Sequence, residues 1–422
     1  MKKNQIKKAT AAVLTGVMCT GLAACGGSSS ASSTAAASSA SSISSESEAS
    51  SASSSSKSEA ASTGDFETGL TIAQNSFLAG DYAFTCMLNV ANIVVEGSGN
   101  TLNELSDNAD INQVQADVES MINSQVDGAL WWGVLDNYYQ VGPQLFNDAQ
   151  VPFAFFDCAP SADSGIQDSI DEMEYYAGSC IANNETFGEQ MAEQALADGC
   201  KKAIVFANEI GSSAAVRADK FKEVFEAGGG EVLEVSHVST TSNAHVEATQ
   251  NMLATYSDVD CIYGVSIDFI LGAYTVTSQT GDRDIKLYAT DASPEALEYL
   301  ENGSINGLNG GHFVEDYVAA CLLMNTIDGH KIVGDDGKPL NLTLDPVVVT
   351  PETVDLYEKF WIDGNPYEYD DISYLLYREN SEVTADDFYE FCENYSIESV
   401  LQLKYDQGLV TDEELEAAGI EL

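Results

Sequence analysis

The chain has 422 residues, of which 67 are Asp or Glu and 17 are Lys or Arg, for a formal net charge of −50. This charge excludes a nucleic-acid-binding protein, because a phosphate backbone needs a basic surface. It also argues against an anionic ligand, unless local cations gather around that ligand. The apolar content of 44% is enough for the chain beyond position 64 to form two or more compact lobes.

The first 24 residues have the pattern of a secretory signal. Met1 to Lys8 carries four lysines, and Ala11 to Ala24 is small, apolar and uncharged. This apolar run is shorter than the roughly 20 residues that a membrane span needs. We therefore predict that residues 1–24 form a signal peptide and that the mature chain is extracytoplasmic.

The signal ends in Leu22-Ala-Ala-Cys25, which resembles the bacterial lipobox. The resemblance implies that the chain is cut before Cys25 and acylated on its thiol, so that it is anchored to the cell membrane as a lipoprotein. An ordinary signal peptide with an incidental cysteine is the alternative. Residues 25–64 are almost entirely Ser and Ala and cannot bury enough apolar surface to fold. We predict a disordered tether with a mean reach of roughly 30–35 Å.

The remaining cysteines and the histidines do not form a recognisable metal site. Seven cysteines follow Cys25 without a Cys-x-x-Cys pair, and this odd number means that at least one thiol is free. The four histidines have no ligand-like spacing to one another or to the cysteines. We therefore expect neither a metal nor a cofactor.

Short apolar strands alternate with helices between positions 70 and 300. The predicted strands are 70–74, 101–105, 128–132, 151–156, 202–206, 232–237, 260–264 and 286–289. The predicted helices are 84–95, 110–125, 138–149, 187–197, 213–226, 244–256, 269–279 and 294–300. This alternation is typical of βαβ units, which form parallel sheets covered by helices on both faces. Ligands bind beyond the carboxyl ends of such strands, which nominates positions 75–82, 131–136, 157, 266–268 and 291.

Six motifs between positions 68 and 353 resemble those of the type I periplasmic-type solute-binding proteins, the ribose- and galactose-binding group that serves ABC importers. They are Ser124-Gln-Val-Asp-Gly-Ala-Leu130, Ala149-Gln-Val-Pro-Phe-Ala-Phe-Phe-Asp157, Gly211 to Phe221 with Arg217, Ala289-Thr-Asp291-Ala-Ser-Pro294, Leu300-Glu-Asn-Gly-Ser-Ile305 and Val348-Val-Thr350-Pro-Glu-Thr-Val354. Each motif is weak alone, but their order and spacing together make the resemblance specific.

The resemblance implies an α/β fold of two lobes, each a parallel sheet flanked by helices, with three crossings between them and a small solute in the cleft. The first lobe is expected to comprise 66–179 and 312–345, and the second 180–311 and 346–355. Residues 356–422 exceed the usual length and are acidic and aromatic-rich. We predict that they form a helical extension on the flank of one lobe, ending in a helix capped at Thr411; a lid over the cleft is the alternative.

Sugar binding needs aromatic faces for the ring and planar polar groups for the hydroxyls. The ligand-binding candidates are Phe77, Tyr82, Trp131, Trp132, Asp157, Arg217, Ser266, Asp268, Asp291 and His312. Because adjacent strand residues point to opposite faces, at most one of the two tryptophans faces the cleft directly.

Several candidates have structural alternatives. Asp157 and Asp291 could each cap a helix, Arg217 could form a surface salt bridge, and His312 could be a hinge residue. Ser266-Ile-Asp268 stands where the family often has Asn-Asp, and Gly-Gly-His312 stands where a Gln usually follows the last cleft strand. These departures indicate a ligand other than ribose.

Together, these observations and the resemblance predict a monomeric, lipid-anchored solute-binding protein that delivers a small neutral solute, a monosaccharide or polyol, to an ABC permease. There are two alternatives: the protein could be a sensing module for a sensor kinase or chemoreceptor, or its ligand could be a nucleoside. An extracellular enzyme is disfavoured, because the chain lacks Gly-x-Ser-x-Gly, His-Glu-x-x-His and P-loop motifs.

Overall fold

The computed structural model describes residues 66–208, 214–238, 242–279, 281 and 284–422. The predicted signal peptide, Cys25 and the tether lie outside these residues, as does part of the motif at 211–221. In the part of the chain that is described, no helix combines the length and the apolar character needed to cross a membrane.

Twelve strands and sixteen α-helices alternate along the described chain. The strands are β1 Thr71–Ser76, β2 Thr101–Ser106, β3 Gly128–Trp131, β4 Phe153–Asp157, β5 Tyr176–Ala182, β6 Lys202–Ala207, β7 Glu231–His237, β8 Cys261–Gly264, β9 Lys286–Thr290, β10 Gly307–Gly310, β11 Leu340–Leu344 and β12 Val347–Val349. The helices are α1 Tyr82–Gly97, α2 Gln113–Asn123, α3 Asp136–Tyr139, α4 Gly142–Ala149, α5 Gln167–Asp171, α6 Asn184–Ala197, α7 Ala215–Ala227, α8 Ser242–Thr255, α9 Ile267–Thr277, α10 Pro294–Glu301, α11 Glu315–Ile327, α12 Val354–Tyr357, α13 Tyr369–Ile372, α14 Ala385–Asn394, α15 Ile397–Asp406 and α16 Asp412–Ala417.

The strands form two six-stranded sheets, each the centre of one lobe. The first lobe has the order β11-β5-β4-β3-β1-β2, and all of its neighbouring strands are parallel. The second lobe has the order β12-β10-β9-β8-β6-β7, in which β12 alone runs antiparallel to its neighbour. Both sheets carry buried central strands, as parallel sheets covered on two faces require. The predicted two-lobed α/β fold is confirmed.

The chain passes between the lobes three times. The passages follow β5, β10 and β11. Because β5 continues to Ala182 within the first sheet, the predicted boundary at position 179 falls inside this strand. The sequence pattern did not mark β5, whose burial depends on β4 and β11 on its two sides.

One predicted helix is divided in the structure. The apolar pattern at 138–149 predicts a continuous helix, whereas the chain forms α3 and then α4. Pro143 stands at the start of α4, where its missing N–H costs no helical hydrogen bond, so the second helix begins there.

Helix α11 is buried along its length from Glu315 to Asn325. One side packs on the first sheet, and the extension covers another. The Tyr317 hydroxyl donates to the carbonyl of Tyr367 at 2.5 Å, and the Asn325 amide donates to that of Leu375 at 2.8 Å. A helix that is apolar on all sides has to be enclosed in this way.

The extension is helical and lies mainly against the first lobe, and its last helix is capped by Thr411 as the sequence predicts. Near the passage after β10, the Tyr395 hydroxyl donates to the carbonyl of Gly311 at 2.7 Å. Gly311 has φ +74°, and a Cβ there would lie 2.7 Å from the Tyr395 oxygen, so only glycine fits. The extension thus contacts one of the three passages between the lobes.

Replacing Arg378 by Met should destabilise the protein by about 3–5 kcal/mol, because it leaves a buried carboxylate without its partner. The Arg378 guanidinium donates to both Asp328 oxygens, at 2.9 and 2.7 Å, and joins the extension to the first lobe. The two side chains are only 5% and 2% exposed. Urea unfolding would measure the loss.

The matched control is Lys359→Met, which breaks the pair with Glu414 within the same extension. These side chains are 42% and 38% exposed, so the loss should stay within about 1 kcal/mol. Equal losses in the two variants would contradict the importance of the buried pair.

Candidate functional site

A cavity of about 560 Å³ lies between the two lobes. The first lobe contributes the loop and helix start after β1, and the second contributes the loops after β8 and β9. The residues that line it are Gly80, Asp81, Tyr82, Ala83, Ser266, Ile267, Asp268, Leu271, Asp291, Ser293, Pro294 and Glu295. These are carboxyl ends of parallel strands, where the alternation of the sequence predicts ligand binding.

The two adjacent tryptophans have different environments. Trp131 is fully buried; its indole nitrogen donates to the carbonyl of Val114 at 3.3 Å and its ring packs on Tyr139. It lies in the core of the first lobe and not in the cleft, because strand residues alternate between faces. Trp132 points the other way, and its indole nitrogen donates to Asp157 Oδ2 at 2.8 Å.

Asn75 holds the backbone on which Trp132 is mounted. Its side-chain oxygen accepts from the Trp132 amide at 2.7 Å, and its side-chain nitrogen donates to the Trp132 carbonyl at 3.0 Å. The Trp132 ring packs against Phe84 and Phe77, with centroids 5.1 and 5.7 Å apart. Only 7% of Trp132 is exposed, so it positions Asp157 rather than presenting a broad stacking surface.

Asp157 is the last residue of β4 and Asp291 directly follows β9, and both have left-handed backbone conformations with φ values of +57° and +75°. Such values are uncommon outside glycine, although Asp tolerates them better than most residues. Non-glycine residues in this region cluster at functional sites. Both carboxylates are therefore held at sharp turns at the strand ends.

Arg217 on α7 is buried and connects several loops of the second lobe. Its Nε donates to Asn184 Oδ1 at 2.7 Å, and its Nη1 donates to the carbonyl of Val265 at 3.0 Å. Nη1 also lies 3.5 Å from Asp291 Oδ1. The guanidinium carbon lies 4.2 Å from the centre of the Phe187 ring. Arg217 thus forms a buried ion pair and not a surface salt bridge.

His312 lies beside this ion pair. Its ring packs edge-to-face on Phe187, and its Nε2 lies 4.0 Å from Asp291 Oδ1. Burial, with the nearby positive charge of Arg217, lowers the pKa of His312 to about 4, so the imidazole is neutral at physiological pH. Its Nδ1 has no hydrogen-bond partner among the described residues.

Burial raises the pKa of Asp291 to about 6. Arg217 opposes this shift, while the negative charges of Asp157, Asp81 and Asp268 add to it. These carboxylates come from both lobes, so the cleft brings together groups that are distant in the sequence.

The other candidates lie around the same cavity. Tyr82 lines it from the first lobe, and Ser266 and Asp268 line it from the second. Partial desolvation at the edge of the cavity raises the pKa of Asp268. Phe77 is half-buried against Trp132. Asp81 belongs to the nominated stretch 75–82, but no motif singled it out.

Asn184 and Glu295 carried no sequence signal that could have found them. Asn184 begins α6, and it reaches the site only through its 2.7 Å contact with Arg217. Glu295 lies in the first turn of α10, where an acidic residue is ordinary.

One cysteine-containing group lies away from the cleft. The ligand atoms of Cys200, Asp260 and Cys261 lie within 4.8 Å of one another. The Asp260 carboxylate already accepts hydrogen bonds from the backbone amides of Lys201 and Lys202. Two thiols remain, fewer than the three or four protein ligands that zinc takes.

Residues 79–331 match the family described as "periplasmic binding protein domain". The chain belongs to this family. Its members are extracytoplasmic solute-binding proteins, and the resemblance to type I proteins is confirmed at the level of family and fold. No curated protein sequence matches the chain.

Solved structures of ABC transporter solute-binding proteins share this fold. One from Agrobacterium vitis, bound to α-D-tagatopyranose, has 20% identity and a TM-score of 0.59 over 68% of this chain and 96% of its own. One from Actinobacillus succinogenes, with D-allose, has 18% identity and a TM-score of 0.60 over 68% and 100%. One from Bacillus halodurans, with myo-inositol, has 18% identity and a TM-score of 0.59 over 70% and 99%.

Replacing Asp291 by Asn should change how stability depends on pH. The folded pKa of about 6 lies above the ordinary value of 3.8, so the folded state holds this proton longer than the unfolded state does. The wild type therefore loses stability from this group as pH rises from about 4 to about 6, and the loss persists above that range. The variant lacks this titration.

Urea unfolding of both proteins from pH 4 to pH 7 would give the difference curve. The stability of Asp291→Asn relative to wild type should rise across this interval. A flat difference curve would show that Asp291 has an ordinary pKa in the folded protein.

Proposed function

We propose that this protein is the solute receptor of an ABC importer and captures a monosaccharide or polyol between its lobes. The observation that carries the proposal is the cavity between strand ends of two parallel sheets, lined by carboxylates and backed by a buried guanidinium. Carboxylates accept hydrogen bonds from hydroxyl groups, and a guanidinium donates hydrogen bonds to them. The tagatose, allose and inositol bound by proteins of the same fold support the same ligand class.

The two lobes close over the solute, and the loaded protein then docks on a membrane permease. Three passages between the lobes allow this motion with changes at few residues. We propose the lobe limits 66–182 with 312–345, and 183–311 with 346–355. The protein acts as a monomer and releases its solute chemically unchanged.

We further propose that the chain is a lipoprotein anchored through Cys25 and standing off the membrane on the tether 25–64. A receptor that delivers solute to a permease benefits from this confinement, because a short flexible tether raises the effective concentration of the second partner.

A thermal-shift screen of the full-length protein over sugars, polyols and nucleosides should identify one stabilising class. A ligand present at 100 times its Kd adds about 2.7 kcal/mol to the free energy of unfolding. Arg217→Ala and Asp291→Ala should each abolish this stabilisation, because both residues form the ion pair at the back of the cleft. Unchanged binding in both variants would refute the site assignment.

The matched control is Lys222→Ala, an exposed cation on the same helix as Arg217. It should bind the stabilising solute like the wild type. The absence of stabilisation by any compound would count against the receptor function as a whole.

Cys25→Ser should release the protein from the membrane, because the acylated thiol is lost. Labelling of growing cells with a radioactive fatty acid should mark the wild type and not the variant. Label retained in the variant, or a wild type found only in the soluble fraction, would refute the lipid anchor.

A further inference from the structure

The cavity between the lobes has an unbalanced charge. Four carboxylates line it, and none of its described lining residues is a lysine, arginine or histidine. The acidic residues are Asp81 from the first lobe and Asp268, Asp291 and Glu295 from the second. They are contributed by three different segments, so the imbalance belongs to the assembled cavity and not to one acidic run.

The carboxylates are close enough to influence one another. Asp81, Asp157 and Asp268 each add to the electrostatic cost of ionising Asp291. Asp157 comes from the first lobe and is fixed by its hydrogen bond with Trp132. Closure of the lobes would bring these like charges into a space with less water, where their repulsion grows.

The nearby cation is already engaged. Arg217 is only 6% exposed, and its contacts with Asn184 and Val265 hold it behind Asp291. It balances one carboxylate. His312 is neutral and adds no positive charge, so at least two of the remaining carboxylates have no counter-ion among the described residues around the cavity.

A second observation points to a missing hydrogen-bond partner. His312 is 5% exposed and lies next to Asp291, yet its Nδ1 has no partner among the described residues. In a neutral imidazole, the unprotonated nitrogen can accept a hydrogen bond from an ammonium or hydroxyl group, and the protonated nitrogen can donate one to a hydroxyl oxygen. Buried polar atoms in native proteins are normally satisfied, and a hydroxyl or ammonium group of a solute bound beside Asp291 would supply this partner.

We propose that the solute carries a protonated amine in addition to its hydroxyls, as in an amino sugar or an aminocyclitol. The ammonium group would lie among Asp81, Asp268 and Asp291 and supply the missing positive charge, while the hydroxyls bind as in the proposed function, on which this inference rests. The charge of the whole chain argued only against anions. The composition of the cavity favours a cation over the neutral solute expected from sequence.

A divalent metal ion would also neutralise the negative charge of the cavity, but the positions of the carboxylates do not favour a metal site. In the described part of the chain, no three of the cleft carboxylates bring ligand oxygens within 4.8 Å of one another. An ammonium group needs no such convergence, because its hydrogen bonds can point to acceptors on different sides.

The test compares matched pairs that differ by one amine: D-glucose with D-glucosamine, D-galactose with D-galactosamine, and myo-inositol with an amino-substituted inositol. Titration calorimetry on the full-length protein in detergent, near neutral pH, should show at least one amine binding about tenfold or more tightly than its hydroxyl partner. The N-acetylated amino sugars, which are uncharged, should lose this preference.

A neutral member that binds as tightly as its amine, or more tightly, would overturn this inference while supporting the receptor function. Binding by neither member of any pair, nor by other sugars and polyols, would overturn the receptor function itself. Stabilisation by CaCl2 alone, reversed by EDTA and without an amine preference, would show that a metal supplies the charge.

Asp268→Asn should reduce the ratio of amine affinity to neutral-partner affinity towards unity, because it removes one of the carboxylates proposed to surround the ammonium group. Asp268 is exposed at the edge of the cavity, so the fold should tolerate the change. The control Glu119→Gln removes an exposed carboxylate from α2, outside the cavity lining, and should keep the wild-type preference. Equal preferences in the two variants would refute the role of the cavity carboxylates.

Discussion

The guanidinium of Arg217 connects three segments of the second lobe. It binds Asn184 at the start of α6, the carbonyl of Val265 after β8, and Asp291 after β9. A buried guanidinium needs partners in fixed directions, since leaving one unpaired is costly. The position of Asp291, and with it one wall of the cavity, depends on this arrangement.

On the first-lobe side of the cleft, hydrogen bonds from neutral side chains hold the carboxylate in place. Asn75 fixes the backbone of Trp132, and the Trp132 indole then fixes Asp157. Behind this wall, Glu315 and Asp316 are fully buried at the start of α11, and burial raises the pKa of each well above its ordinary value. Burial thus disfavours a negative charge on these two carboxyl groups.

The extension makes the passage after β10 part of a larger structure. Trp361 donates to the Tyr395 hydroxyl at 3.0 Å, and that hydroxyl donates to the carbonyl of Gly311. The extension also covers α11, which explains why so apolar a helix can follow directly on the passage. Any motion of the lobes about this passage therefore has to accommodate these contacts. The extension does not take part in the cavity itself, because none of the described residues lining the cavity belongs to it.

Much of the site was predictable because it follows a local rule. Asp157 and Asp291 stand at the ends of apolar strands, and the carboxyl ends of parallel strands meet at one edge of a sheet. The alternation of strand residues likewise predicts that at most one of Trp131 and Trp132 faces the cleft directly. Asn184 and Glu295 follow no such rule, because each is an ordinary residue at a helix start until a distant segment comes near.

The sequence by itself determined the secondary-structure order, the family and most positions of the cleft, since hydrophobic period and turn chemistry act over a few residues. Tertiary structure decided which tryptophan is core, that Arg217 is buried against Asp291, and that the cavity has more carboxylates than counter-ions. These are properties of side chains up to about 200 positions apart, and pairwise charge and burial depend on distance in space. A net charge of −50 could not reveal them, because it does not say which carboxylates face one another.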